Sequence, residues 1–185
     1  MTNPIKVVIR PYRGGEEFQK VYNFIYAEYD EFGYTSKLFI DPMGPYSFRS
    51  ALERIESLSY VAVKKDEHEK EEIIGTVCGL KYKKAQGNNK FRLDCIYVKQ
   101  EFKYCGIYEK FLDLIEKKLD NQNIDEIVFC VSANNTELVD IFLKHQYIKC
   151  KKIFRQYNDG GSLLVLKKFY VVGTKTVSYQ KVTNE

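Results

Sequence analysis

Long apolar runs are absent. No stretch of the 185 residues approaches the roughly 18 consecutive apolar positions of a membrane-spanning helix, so no membrane partner is expected. The segment "MTNPIKVVIRPY" lacks an apolar core followed by a small-residue cleavage site, which makes the cytoplasm the expected location. Paired cysteines are missing too. Cys78, Cys95, Cys105, Cys130 and Cys150 are an odd number, sit singly and show no C-x-x-C spacing. That pattern argues against a disulfide framework and a zinc site. The two histidines, His68 and His145, have no metal-ligand spacing, and no metal is expected. Internal repeats and long low-complexity linkers are also lacking. Charge of one sign is modest, with a net charge of +4 and two small basic clusters, "KYKK" and "KCKK". Lysines at strand ends protect an exposed edge, so nucleic acid is not expected as a partner.

What is present fits one domain over residues 1–185. Apolar residues make up 44% of the chain, enough for a sizeable core. "IKVVIRPY" alternates and is β-branched, as a strand ending at Pro11 does. Phe18, Val21, Tyr22, Ile25 and Tyr29 recur at helical spacing before Gly33. A loop follows, then a second helix in "YSFRSALERIESL" with Ser47 as N-cap. Three strands come next: "SYVAVKK", "IIGTVCGLKYKK" and "FRLDCIYV". A helix from about Ile107 to Leu119 leads to the strand "DEIVFCVSA" and a short helix capped by Asn135. "YIKCKKIFRQY" and "SLLVLKKFYVV" form a last hairpin around "NDGG". Residues from about 170 to 185 read as an edge strand or a tail. The order β-α-α-β-β-β-α-β-α-β-β predicts an α/β fold: a mixed, mostly antiparallel twisted sheet, helices on both faces, and one parallel pair across "FRLDCIYV" and "DEIVFCVSA".

The chemistry concentrates at the turn Lys103-Tyr104-Cys105-Gly106-Ile107-Tyr108. A helix N-terminus carries unpaired N–H groups and partial positive charge, and at a parallel β-α junction it faces the crevice beyond the strand. Gly106 permits close approach of a ligand to the backbone. Lys103 adds a positive charge. The turn on its own is either an anion site or a plain connection.

The element order, this turn and the later "NNTELVDIFLKHQY" together resemble the GNAT superfamily of acyl-CoA N-acyltransferases. Its signature, Arg/Gln-x-x-Gly-x-Gly/Ala, falls on Lys103 to Tyr108, with Tyr108 at the small-residue position. The family's Asn falls on Asn135, its following Tyr on Phe142, and its Gly-Phe pair on Gln146 and Tyr147. The resemblance implies a splayed parallel strand pair with acetyl-CoA or another acyl-CoA lying in the gap as co-substrate. Ile96, Tyr97 and Val98 would then pair with the pantetheine arm, and a backbone N–H near Tyr97 would polarise the thioester carbonyl. Amides of Tyr104, Gly106, Ile107 and Tyr108 would hold the pyrophosphate, in a turn shared with Lys103 and Cys105. Asn135 and Phe142 complete the implied cofactor contacts. The implied reaction is direct attack by a primary amine in a ternary complex. A catalytically inactive GNAT-like domain that binds CoA or another ligand, or acts as a protein-interaction module, is the alternative.

Asp94 is the candidate general base. By period-two alternation it shares a face with Ile96 and Val98, and half-burial raises a carboxylate's pKa. Arg92 is its same-face neighbour, so Asp94 is either a base or half of a structural ion pair. Phe142 has no hydroxyl to protonate a departing thiolate. The ring of Tyr108 either turns away from the helix start or fills the phosphate space. Glu28, Asp30 and Glu31, among aromatics, are candidates to receive a cationic small-molecule or peptide amine; the alternative is a solvated helix end. The protein is expected to be a monomer or a homodimer.

Overall fold

The computed structural model describes residues 6–27, 48–55, 57–83, 89–120, 122–154 and 162–170. The elements run β1 (Lys6–Pro11), α1 (Glu17–Ala27), α2 (Phe48–Glu53), β2 (Ser57–Lys65), β3 (Glu71–Lys83) and β4 (Asn89–Val98). A 3-10 helix (Gln100–Cys105) and α3 (Ile107–Leu119) come next, then β5 (Glu126–Ser132), α4 (Thr136–Lys144), β6 (Ile148–Phe154) and β7 (Ser162–Phe169). The element order is the expected one with the 3-10 helix added. Ser47, Tyr29, Gly33 and the segment after Tyr170 lie outside the described residues. Among the described residues no helix is long and apolar enough to cross a membrane.

The seven strands form one sheet in the order β1-β2-β3-β4-β5-β7-β6. Only β4 and β5 pair in parallel. Helices cover both faces, which splits the core in two. α3 buries Ile107, Tyr108, Phe111, Leu112, Ile115 and Leu119, a repeat of three and four residues that makes one stripe. That stripe packs with α4 against Phe91, Leu93, Ile96 and Val98 of β4. On the opposite face, Phe18, Val21 and Ile25 of α1 pack with Ala51 and Leu52 of α2 against Val61, Val63, Cys78, Cys95 and Tyr97.

Two features of β4 decide where a ligand fits. The first is a β-bulge. Cys78 of β3 faces Cys95, but its neighbour Gly79 faces Leu93, so Asp94 is the extra residue on β4. A bulge bends its strand and increases local twist. Gly79 makes this one possible: a Cβ there would lie 2.5 Å from the Phe91 ring and 2.6 Å from the Arg92 carbonyl oxygen.

The second feature follows from the first. β4 and β5 pair only from Lys90↔Glu126 to Leu93↔Phe129, and pairing stops where the bulge begins. The closed end is pinned. Asn89 N–H donates to the Asp125 carboxylate at 2.7 Å, and Asp125 N–H donates back to the Asn89 carbonyl at 2.8 Å. Lys90 and Glu126 form a buried ion pair across the same rung, and Lys167 approaches Glu126 at 3.6 Å. Beyond Phe129, β5 continues as Cys130, Val131 and Ser132, paired only with β7. The two strands therefore form a V that opens towards the C-terminal end of β4.

Replacing Gly79 by Ala should lower stability by about 1–3 kcal/mol, because the methyl group must displace Phe91 or the bulged backbone. Denaturant unfolding measures this. An unchanged midpoint would show that the bulge does not depend on a bare α-carbon.

Candidate functional site

The open end of the V is built from backbone. Lys99 N–H donates to the Ile74 carbonyl of β3 at 2.8 Å. Amides alternate sides along a strand, and Thr76↔Tyr97 is the next such rung. Tyr97 therefore directs its N–H at β3. The amides of Ile96 and Val98 face the gap. Of the amides near Tyr97, the donors that face the gap belong to the residues on either side of it rather than to Tyr97 itself. The Tyr97 ring lies on the opposite face, 5.5 Å from the ring of Phe24 in α1.

Beyond Val98 the chain makes the 3-10 helix, anchored by buried Phe102, and reaches Gly106 at φ 70° and ψ 19°. This left-handed residue ends the 3-10 helix and opens α3. Lys110 N–H donates to the Gly106 carbonyl at 3.2 Å, the first bond of the helix, so amides ahead of it, such as that of Ile107, have no acceptor within the helix. A Cβ on Gly106 would meet nothing within 4 Å. The mouth of the turn is open.

The remaining turn residues divide by exposure. The Tyr104 side chain and the Cys105 thiol are exposed, and Lys103 is half-buried. Tyr108 is only 3% exposed and belongs to the core cluster beneath α3. Its ring turns inward rather than over the mouth of the turn. Glu109 sits in the same first turn, with Oε2 buried and without a hydrogen-bond partner. The helix N-terminus adds its partial positive charge to that of Lys103 as an attraction for an anion.

Asp94 lies at the apex of the V. Its alternation with Ile96 and Val98 does not hold. Those two residues belong to the α3 side of the core, whereas Cys95 and Tyr97 belong to the α1 side. The bulge shifts the pattern by one residue. The expected pairing with Arg92 is present, through a short contact between Arg92 Nε and Asp94 Oδ1. The Asp94 side chain is 7% exposed and that of Arg92 is 42% exposed. Oδ2 of Asp94 is buried and has no partner. Burial pushes the Asp94 carboxyl above the usual carboxylate range, and Arg92 pulls it part of the way back. The Cys78 thiol nearby is raised by burial, by its hydrogen bond with Cys95 and by the charge of Asp94.

Asn135 caps α4, its Oδ1 accepting from Leu138 N–H at 3.1 Å. Phe142 is fully buried, stacked on Phe129 at 4.6 Å and edge-on to Tyr147 at 4.8 Å. The structure puts it in the core rather than on the wall of the V. Gln146 adopts φ 68° just after α4, the left-handed region that favours glycine. Glu28, Asp30 and Glu31 lie outside the described residues. No group of three His, Cys, Asp or Glu residues is placed to hold a metal ion among the described residues.

The strand pair splays at a bulge and opens onto a helix N-terminus. The model of the acetyltransferase (GNAT) family matches residues 19–147, well over half of the chain. The chain belongs to the GNAT family. Among solved structures, Arabidopsis thaliana NAA60 in complex with acetyl-CoA superposes with a TM-score of 0.69 at 12% identity, over 89% of this chain and 100% of that one. A chain of the NatC complex bound to Gag peptide and CoA gives 0.68 at 17% identity, over 90% and 99%. A GNAT acetyltransferase from Streptococcus pneumoniae gives 0.67 at 14% identity, over 89% and 99%. These likenesses show the fold. No protein of curated function matches the chain.

A carboxyl whose pKa is raised by folding favours the native state below its unfolded pKa and loses that contribution as pH rises through the folded value. The stability of the wild type relative to Asp94→Asn should therefore fall as pH rises above the unfolded carboxyl range, about pH 4. Denaturant unfolding of both proteins at several pH values tests this; a difference independent of pH would contradict the buried, raised carboxyl.

Proposed function

We propose that this chain transfers an acyl group from an acyl-CoA, most simply acetyl from acetyl-CoA, to a primary amine. The observation that carries the reading is the V. Its β4 edge presents the amides of Ile96 and Val98 beside a helix N-terminus opened by Gly106. An extended amide-bearing arm can pair with that edge like an added strand. A pyrophosphate suits the open amides at Gly106 and Ile107. Named relatives support the reading: NAA60 is seen with acetyl-CoA, and Naa50 of the same plant with the bisubstrate analogue CoA-Ac-MVNAL.

The thioester supplies the activated acyl group. An amide on the gap side of β4 stabilises the oxyanion as the amine attacks. The nitrogen lone pair forms the new C–N bond, the C–S bond breaks, and the sulfur leaves as thiolate. Asp94 receives the amine proton, with Oδ2 as the accepting atom and Arg92 holding Oδ1. Phe142 donates no proton, so the thiolate is protonated from solvent. Attack is direct, because among the described residues no nucleophile is paired with a base. The acceptor is an amine on a small molecule or a peptide end. A second reading, a domain that binds CoA without catalysis, is favoured by the burial of Phe142 and of Asp94 Oδ2.

Acetyl-CoA at 100 times its dissociation constant should stabilise the protein by about 2.7 kcal/mol and raise Tm by roughly 5–10 °C. No shift at millimolar ligand would remove both readings. A shift without thiol release across a panel of amines would select the second. Asp94→Asn should retain the shift and lose at least about 100-fold in kcat; unchanged turnover would remove Asp94 as base. Gly106→Val should abolish the shift while costing about 1–2 kcal/mol for a side chain at positive φ.

A further inference from the structure

The closed end of the V carries a second feature, which acyl transfer leaves unused. A pocket of 430 Å³ lies where β3 ends and β4 begins, within the size range of small-molecule sites, about 300–1,000 Å³. Its wall includes Lys81, Lys83, Arg54 and Lys90, and no carboxylate lines it among the described residues. Two acids beside the first rung of the parallel pair are engaged elsewhere: Glu126 by Lys90 and Lys167, and Asp125 by the Asn89 amide. Lys81 and Lys83, two of the lysines in "KYKK", make no ion pair with any described residue. Uncompensated lysines around a concavity focus positive potential there.

The rest of the lining is not that of a solvated edge. Tyr82 and Leu80 come from β3, and Ile124 is a buried core residue. Gln122 also lines the pocket, and its Oε1 is buried without a hydrogen-bond partner. A terminal amide held this way has bonding capacity left for a ligand. Lys81 and Lys83 alternate with Leu80 and Tyr82 along β3, so the two lysines stand on the Phe91 side of the sheet with Ile124, and there cations, an apolar floor and the unused amide of Gln122 suit a small molecule that carries a phosphate.

We propose that this pocket binds a small phosphorylated molecule of nucleotide size. Its site is separate from the helix N-terminus at Gly106. β4 has ten residues, and the pocket lies at its first residues while the turn lies beyond its last, about 30 Å along the strand. The proposal stands independently of acyl transfer.

Titration calorimetry with AMP at low ionic strength tests it. The wild type should bind AMP with an affinity that weakens as salt is added. Lys81→Glu/Lys83→Glu should bind at least tenfold more weakly while melting like the wild type. If the double variant melts early, Lys83→Glu alone, at an exposed position, should show the same direction. Gly106→Val should bind AMP as the wild type does. The proposal is overturned by absence of binding at millimolar AMP, by equal binding in the lysine variants, or by AMP binding that is lost in Gly106→Val instead. A single-stranded oligonucleotide bound far more tightly than AMP would also overturn it, in favour of a nucleic-acid surface.

Discussion

The structure depends on one extra residue in β4. Asp94 has no partner of its own on β3, and the strand bends to accommodate it. Before the bulge, β4 pairs with β5 and the sheet is continuous; after it the strands part. The same kink shifts the side-chain pattern, so that Cys95 and Tyr97 face α1 while Ile96 and Val98 face α3. It also places a buried carboxylate at the apex of the gap, with an arginine on one oxygen. Gly79 permits all of this by leaving room for Phe91 and the Arg92 carbonyl.

A gap in a sheet exposes unpaired backbone groups, and an unpaired group shut away from water is costly. The closed end offsets that tendency to collapse or fray. The Asn89–Asp125 backbone exchange and the Lys90–Glu126 pair fix the first rung of the parallel pair. Both arms of the V are then held from outside, β4 by β3 along its whole length and β5 by β7. On the α3 side of the sheet, Tyr108, Phe111 and Phe142 are buried in the core. The ring of Tyr108, which at first sight threatens the phosphate turn, is part of this core. The helix start is left to the backbone, where Gly106 at φ 70° opens α3.

Much of this was legible in the sequence. Element order followed from hydrophobic period and turn residues, and the parallel pair from a strand-helix-strand step too long for a hairpin. The capping role of Asn135 was readable from its place before a helical stripe. The bulge was not, because alternation assumes that every residue has a partner across the ladder. One signal was available: Gly79 interrupts the β-branched run "IIGTVCGLKYKK", and a lone glycine in a strand marks a bulge or a close approach. Plain alternation, which ignores the bulge, puts Asp94 on the face of Ile96 and Val98. Gln146 hid a left-handed position because glutamine carries no such signal. The pocket at Lys81 and Lys83 needed the third dimension, since Arg54 and Gln122 reach it from distant parts of the chain.

The central claim is that the gap beyond Leu93 receives an acyl-CoA along the exposed edge of β4. A crystal structure with a non-reactive acetyl-CoA analogue tests this most directly. The account predicts the pantetheine arm hydrogen-bonded to the backbone of Ile96 and Val98, with the pyrophosphate at the amides after Gly106. A ligand bound elsewhere, or β4 and β5 found paired to their ends with the gap closed, would contradict it.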